Sequence, residues 1–233
     1  VEGNMLFVQK RGLSQRAMNR IRRLAAFPNP GFHAKQRMRM STFGIPRIIC
    51  AAEETEQWIA LPRGLRGSLE TLADGARVAT SFEDQRETGR PLAIRFNGEL
   101  RMDQVFAVDA LESEDGGVMA AATAFGKTVA AVALIARIGR SALILVHTQA
   151  LLSQWKLALA RFLVAAESGA SVEVGQLGGG VNSLNGRLDV ATVQSLGNED
   201  FAHAGGVRGY GVVVVDECHH VPALTIAQAL STM

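Results

Sequence analysis

The tightest constraint on this chain is an eight-residue turn, Ala121-Ala122-Thr123-Ala124-Phe125-Gly126-Lys127-Thr128. The segment before it, Gly117 to Ala122, predicts a strand. The segment after it, Thr128 to Arg137, is apolar nearly all round and predicts a buried helix. A strand that turns through glycine and lysine into a helix presents backbone N–H groups at a helix N-terminus, where negative charge is favoured. That context is the one a phosphate-binding loop requires. Thr123, Ala124, Phe125 and Gly126 would line the phosphates, Lys127 would reach them as a mobile cation, and Thr128 would offer its hydroxyl to Mg2+. Gly126 allows close approach of the backbone. Two positions depart from the usual pattern. Ala121 stands in place of the first glycine, and Ala124 stands at another place that often holds glycine; the Cβ of alanine disfavours positive φ.

A second signal lies near the other end. Val212-Val213-Val214-Val215 is a continuous β-branched run, which predicts a central parallel strand. It stops abruptly at Asp216-Glu217-Cys218-His219-His220. In open α/β sheets, ligands and catalytic groups gather at the carboxyl ends of strands. Asp216 would hold Mg2+ through its waters, and Glu217 would polarise an attacking water as general base. A rival reading makes Asp216, Cys218, His219 and His220 a zinc cluster. Neighbouring residues converge poorly on one tetrahedral ion, and no second Cys/His pair follows. His203 is isolated and reads as a surface polar residue.

Between these signals strand and helix alternate. Leu143 to His147, Val172 to Gln176 and Val190 to Val193 predict strands, and Ala150 to Leu163 an amphipathic helix. Such alternation implies βαβ units and a parallel sheet. The front of the chain reads differently. Strands are predicted at Met5 to Gln9, Arg47 to Ala52, Trp58 to Leu61 and Arg77 to Phe82. Helices are predicted behind Ser14, at Phe32 to Met40 and at Leu65 to Ala73. The fold class is therefore α/β, a P-loop lobe with a parallel sheet over residues 94–233, preceded by a small α+β domain over residues 1–93.

Charge separates the same two halves. Residues 1–99 hold 16 basic and 10 acidic side chains, net +6; residues 100–233 hold 8 and 12, net −4. No acid occurs between Glu2 and Glu53, a stretch that carries ten Lys and Arg, among them Arg20, Arg22 and Arg23. Such a stretch is the footprint of a polyanion partner, the alternative being a solvated basic helix face. The longest strongly apolar run, Val129 to Ala136, is far short of the ~20 residues a bilayer span needs, so no membrane is expected. Cys50 and Cys218 are far apart and read as free thiols of a cytoplasmic protein.

The loop and the Asp216-Glu217-Cys218-His219 box, 89 residues beyond Lys127, together resemble the superfamily 2 DEAD/DEAH-box helicases. Further segments follow that family's order. Leu100-Arg101-Met102-Asp103-Gln104 looks like the L-R-x-x-Q segment of its XPB-like and restriction-enzyme-like branch. The resemblance implies that Gln104 reads adenine, with Arg101 nearby. Leu145-Val146-His147 through Gln154-Trp155 resembles motif Ia, which follows a nucleic-acid backbone. Thr148 and Gln149 occupy places where relatives often carry arginine. Ala191-Thr192-Val193-Gln194-Ser195-Leu196 looks like the T-x-Q-S-L segment, so Thr192, Gln194 and Ser195 join His147 as expected nucleic-acid contacts. Gly178-Gly179-Gly180 fits the glycine-rich turn between those motifs. The front half, around Met5 to Val8, Leu24 to Pro30 and Leu61 to Gly64, is similar to the segment before the helicase in TOTE-type conflict-system proteins.

The resemblance implies a RecA-like lobe that binds ATP and Mg2+ and acts on nucleic acid, DNA over RNA. The expectation is the first lobe of an ATP-dependent DNA helicase or translocase. With the second lobe outside this chain, hydrolysis by the chain alone is expected to be poor. Two alternatives stay open: a non-catalytic nucleic-acid-binding protein with a scaffold P-loop lobe, and a P-loop ATPase acting on proteins.

Overall fold

The computed structural model describes residues 1–3, 5–197 and 209–218. The chain forms two compact units, Val1–Arg86 and Glu87–Met233.

The first unit contains β1 (Leu6–Gln9), α1 (Gln15–Leu24), β2 (Ala26–Pro28), α2 (Pro30–Arg37), β3 (Ile48–Cys50), β4 (Glu53–Glu54), β5 (Trp58–Leu61) and α3 (Arg66–Gly75). Strands β1 and β4 flank β5 in an antiparallel sheet. Ser14 caps α1 as expected: its hydroxyl accepts from the Ala17 N–H at 3.2 Å. Helix α1 then buries Ile21, which packs with Leu6, Ile59, Leu61 and Leu69. A separate antiparallel ladder joins β2 to β3. Helix α2 starts two residues before the predicted Phe32, because the Asn29 side chain accepts from the N–H groups of Gly31 and Phe32 and Pro30 suits the first helical position. The expected strand at Arg77 to Phe82 does not form. Arg77, at φ 55, and Val78 close α3 by donating to Asp74 and Ala73 carbonyls. The chain beyond them bonds instead to Glu2, through the Glu83 carbonyl and the Gln85 N–H.

The second unit contains β6 (Ile94–Phe96), α4 (Met102–Glu112), α5 (Lys127–Ile138), β7 (Ala142–Val146), α6 (Gln149–Phe162), β8 (Leu163–Ala165), β9 (Gly175–Gly178), β10 (Val181–Asn182), β11 (Leu188–Thr192) and β12 (Val212–Val215). Its main sheet has the order β10-β9-β11-β7-β12, with β9, β11, β7 and β12 parallel. Every residue of β7 and β11 is buried. The side chains alternate between two cores. Ile144 and Val146 meet Val132 and Ile135 of α5 and Trp155 and Leu159 of α6 on one face. Leu143 and Leu145 meet Leu177, Val193 and Tyr210 on the other. Each large side chain so buried contributes about 1.5–3 kcal/mol. The mixed α/β class with a parallel sheet is as expected.

Two expectations fail here. Gly117 to Ala122 forms no strand and pairs with none among the described residues, and Val118 is 81% exposed. The run is mostly alanine and glycine, which offers little side chain to pack on a pleated surface. The valine strand β12 is an edge strand among the described residues, not a central one, and its valines are half-buried. Pairing partners, not composition, set a strand's place in a sheet.

The connections fix which edge of the sheet carries the motifs. Only Gly139, Arg140 and Ser141 separate α5 from β7, so α5 runs back along the sheet. Its N-terminus, and the loop before it, therefore lie toward the carboxyl ends of the strands. The residues just after β7, β11 and β12 share that edge, since Val146 is paired with Thr192 and Leu145 with Val215. No helix among the described residues is long and apolar enough to cross a membrane.

Candidate nucleotide and nucleic-acid site

The glycine–lysine turn caps α5 without any side-chain cap. Gly126 takes a left-handed conformation at φ 82, and the first turn of α5 carries no acid. Thr123 and Ala124 are exposed, while Phe125, Gly126, Lys127 and Thr128 are half-buried. The Lys127 ammonium folds back to the Ala121 carbonyl at a long 3.4 Å. An uncapped helix start with open N–H groups and a weakly held cation fits a phosphate ligand.

Arg101 and Gln104 brace this loop. Gln104 is buried; its Oε1 accepts from the Arg101 N–H at 3.0 Å and its Nε2 donates to the Phe125 carbonyl at 2.8 Å. The Arg101 guanidinium donates to the same carbonyl at 2.5 Å and lies 5.8 Å from the Phe125 ring centroid. A Cβ at position 126 would come within 2.6 Å of Gln104 Nε2. Two separate demands, positive φ and this close approach, therefore require glycine there.

Ala124 sits at φ 65, the left-handed conformation its Cβ disfavours. Glu217 does the same at φ 49. Thus two of the four non-glycine residues with positive φ among the described residues lie in the two motifs the sequence singles out. Strain of this kind collects at functional sites. Ala124→Gly is expected to raise the stability of the second unit by up to about 1 kcal/mol, the relief of strain exceeding the added chain entropy. Urea unfolding followed by Trp155 fluorescence in a Trp58→Phe background measures it.

Asp216 follows β12 directly. Its N–H donates to the Leu145 carbonyl at 2.9 Å, and its Oδ2 accepts from the buried Trp155 indole at 2.7 Å. One carboxylate oxygen is thus held by α6. His219 and His220 of the zinc reading, and His203, lie outside the described residues.

The remaining motifs converge at the same edge. His147 follows β7 directly, and Thr148 caps α6 by accepting from the Leu151 N–H at 3.2 Å. Thr192 and Ser195 hydroxyls are 2.7 Å apart, and Gln194 Nε2 donates to the His147 carbonyl at 3.0 Å. Gly178 and Gly179, both at positive φ, pack against Gln149: a Cβ at 179 would lie 2.7 Å from Gln149 Oε1, and one at 178 would lie 2.8 Å from Thr192 Oγ1. Gly178 thus lies beside both Gln149 and Thr192. The sequence marks Gln149, two residues after His147, only as a place where relatives often carry arginine; its place against the glycine turn depends on the fold.

In the first unit the three arginines have different fates. Arg20 and Arg23 are exposed. Arg22 forms a two-pronged ion pair with Glu54, at 2.7 and 2.6 Å, which Lys10 joins. Hydrogen bonds from Arg22 and then Lys10 hold the Glu54 carboxyl down at about 2. Its contribution to stability is present above the ordinary glutamate range and fades as pH falls toward 2.

A parallel sheet with a phosphate-type loop and an acidic strand end at one edge defines a RecA-like P-loop lobe. The chain belongs to the family described as "Type III restriction enzyme, res subunit", which matches residues 97–233. It is also similar to "Putative DNA 3'-5' helicase Rad25" of Halobacterium salinarum, at 31% identity over 73% of this chain and 27% of the relative. The protein of the same description from Haloarcula marismortui is 31% identical over 59% of this chain and 21% of its own length. The DNA 3'-5' translocase XPB2 of Sulfurisphaera tokodaii is 31% identical over 54% of this chain and 26% of its own length. The chain spans about a quarter of the length of these relatives.

Proposed function

We propose that this chain carries the ATP-binding lobe of a DNA helicase or translocase of superfamily 2, with a basic unit that binds nucleic acid. The observation that supports this most is one shared edge: the loop before α5, Asp216 after β12, and His147, Thr192, Gln194 and Ser195 all lie at the carboxyl ends of parallel strands. Bound ATP with Mg2+ would supply the phosphoanhydride bond whose hydrolysis powers movement. Backbone N–H groups of residues 123–126 and the Lys127 ammonium would hold its phosphates. Thr128 and Asp216 would hold the metal, Trp155 fixing one Asp216 oxygen and leaving the other for the ion or its waters. Glu217 would polarise the attacking water. Gln104 keeps one N–H and one lone pair beyond its bonds to the loop, and these would read adenine while Arg101 steadies Phe125. His147, Thr192, Gln194 and Ser195 would follow the nucleic-acid backbone. Movement itself is proposed for the whole protein.

The basic unit gives the direct test. If Arg20 and Arg23 contact phosphates, log K for duplex DNA falls linearly with log salt, and Arg20→Glu with Arg23→Glu flattens that slope by roughly 2. Anisotropy titrations at several salt concentrations measure this. Arg22 serves as the contrast: held by Glu54, it should affect folding more than slope. No DNA binding at low salt would favour action on proteins and overturn the reading.

A further inference from the structure

The segment between β2 and β3 is a long excursion within the first unit. Its two ends are stitched together: the Asn29 N–H donates to the Arg47 carbonyl at 2.9 Å, and Asn29 Nδ2 to the Pro46 carbonyl at 2.8 Å. Helix α2, inside it, buries no residue. Beyond the helix the chain turns at Thr42-Phe43-Gly44-Ile45. The Ile45 N–H donates to the Thr42 carbonyl at 3.1 Å, and Gly44 takes φ 74 in the third place. Positive φ there is the mark of a type II turn. Phe43 therefore stands at the corner, 96% exposed. Met38 and Met40 are exposed beside it in sequence.

An aromatic ring held out at a turn contributes nothing to the core, so burial does not explain it. The excursion's own charge is of one sign: it carries Lys35, Arg37, Arg39 and Arg47, all exposed, and no acid. Three of the four cations are arginines, whose planar forks suit phosphates. A projecting aromatic on a segment whose charges are all cationic matches a nucleic-acid strand, which offers a base face to the ring and phosphates to the arginines. In an intact duplex the base faces are covered by their neighbours.

We propose that the excursion over residues 29–47 is a single-stranded DNA contact, with a base stacked on Phe43 and phosphates on Lys35, Arg37, Arg39 and Arg47. This rests on the reading of the first unit as nucleic-acid-binding and names the form of DNA and the residues that take it.

The test uses the full 233-residue chain and fluorescein-labelled oligo-dT and duplex DNA, titrated by anisotropy. Phe43→Ala should weaken oligo-dT binding roughly 5- to 100-fold, the range for one stacked base. Its salt slope should stay unchanged, since no charge is removed. Duplex affinity should move less than twofold. Arg37→Ala with Arg39→Ala should instead flatten the oligo-dT slope by roughly 1.4. Phe43→Trp should restore affinity and show fluorescence quenching on binding. At 96% exposure Phe43 can be changed without loss of fold, which circular dichroism checks. If DNA binds with steep salt dependence but Phe43→Ala leaves oligo-dT binding unchanged, this proposal falls while the broader reading stands. If the wild-type chain binds no DNA at low salt, both fall. If Phe43→Ala spares DNA but abolishes sedimentation with phosphatidylserine vesicles, the surface faces a membrane and the proposal is overturned.

Discussion

Replacing Lys127 by alanine is expected to weaken binding of a fluorescent ATP analogue with Mg2+ by about 100-fold, while leaving DNA binding and the fold in place. The asymmetry follows from how the side chain is held. Among the described residues its ammonium has one hydrogen bond, to the Ala121 carbonyl at 3.4 Å, so its removal leaves the loop braced by Arg101 and Gln104 on the Phe125 carbonyl. Toward a triphosphate the same ammonium is a compact charge with three donors. A hydrogen bond to a charged group contributes about 1.5–3 kcal/mol, and two such bonds account for a factor of about 100 or more. Equilibrium titration of wild-type and K127A chains measures this without relying on turnover. Equal affinity in both would remove the loop from nucleotide binding and favour a scaffold lobe. Lys127→Arg should recover only part of the affinity, because the wider guanidinium must enter a loop whose shape Gly126 and Gln104 fix.

The candidate site was legible where its chemistry is local. The glycine–lysine turn, the acidic strand end and the Thr192 to Ser195 segment each need only a few neighbouring residues: the turn opens α5, Asp216 follows β12 and Thr192 ends β11. What escaped the sequence depends on distant partners. Arg22 and Arg23 are neighbours of equal charge, yet Glu54, 32 residues on, takes Arg22 and leaves Arg23 exposed. Trp155 falls within the predicted amphipathic helix and the motif Ia segment, and it is buried. Its indole N–H also reaches Asp216, 61 residues away. The valine run forms the expected strand, but its edge position follows from pairing with β7 alone among the described residues. The alanine-rich stretch before the loop had a pattern consistent with a strand and no ladder to complete it.

Asp189 shows the same limit more sharply, and its replacement by alanine is expected to cost about 3–5 kcal/mol, the largest stability loss of any single change considered. This carboxylate lies fully buried in β11, between Leu188 and Val190. Its Oδ1 accepts from the Asn185 N–H at 2.9 Å, and its Oδ2 from the Gly186 N–H at 2.7 Å and the Tyr210 hydroxyl at 2.6 Å. It thus ties the turn before β11 to the residue that leads into β12. A Cβ at Gly175 would fall 1.8 Å from Oδ1, so β9 must present glycine beside it. Alanine at 189 leaves three donors without their acceptor, each costing about 1–3 kcal/mol with some recovered by water at the turn. Tyr210→Phe removes one donor and should cost about half as much. Urea unfolding of both variants in a Trp58→Phe background, where Trp155 is the sole tryptophan, reads the second unit alone. The two variants also differ in pH dependence. Burial, and then the bond to Asp189, push the Tyr210 phenol well above its ordinary value. Above about pH 10 the unfolded chain releases this proton while the folded one keeps it, so stability falls as pH rises there. Tyr210→Phe should abolish that alkaline loss. Tyr210 is the chain's one tyrosine, so tyrosinate absorbance follows the event directly. A tyrosinate signal at ordinary pH in the folded chain, or an Asp189→Ala chain as stable as wild type, would show that this buried triad does not hold the sheet.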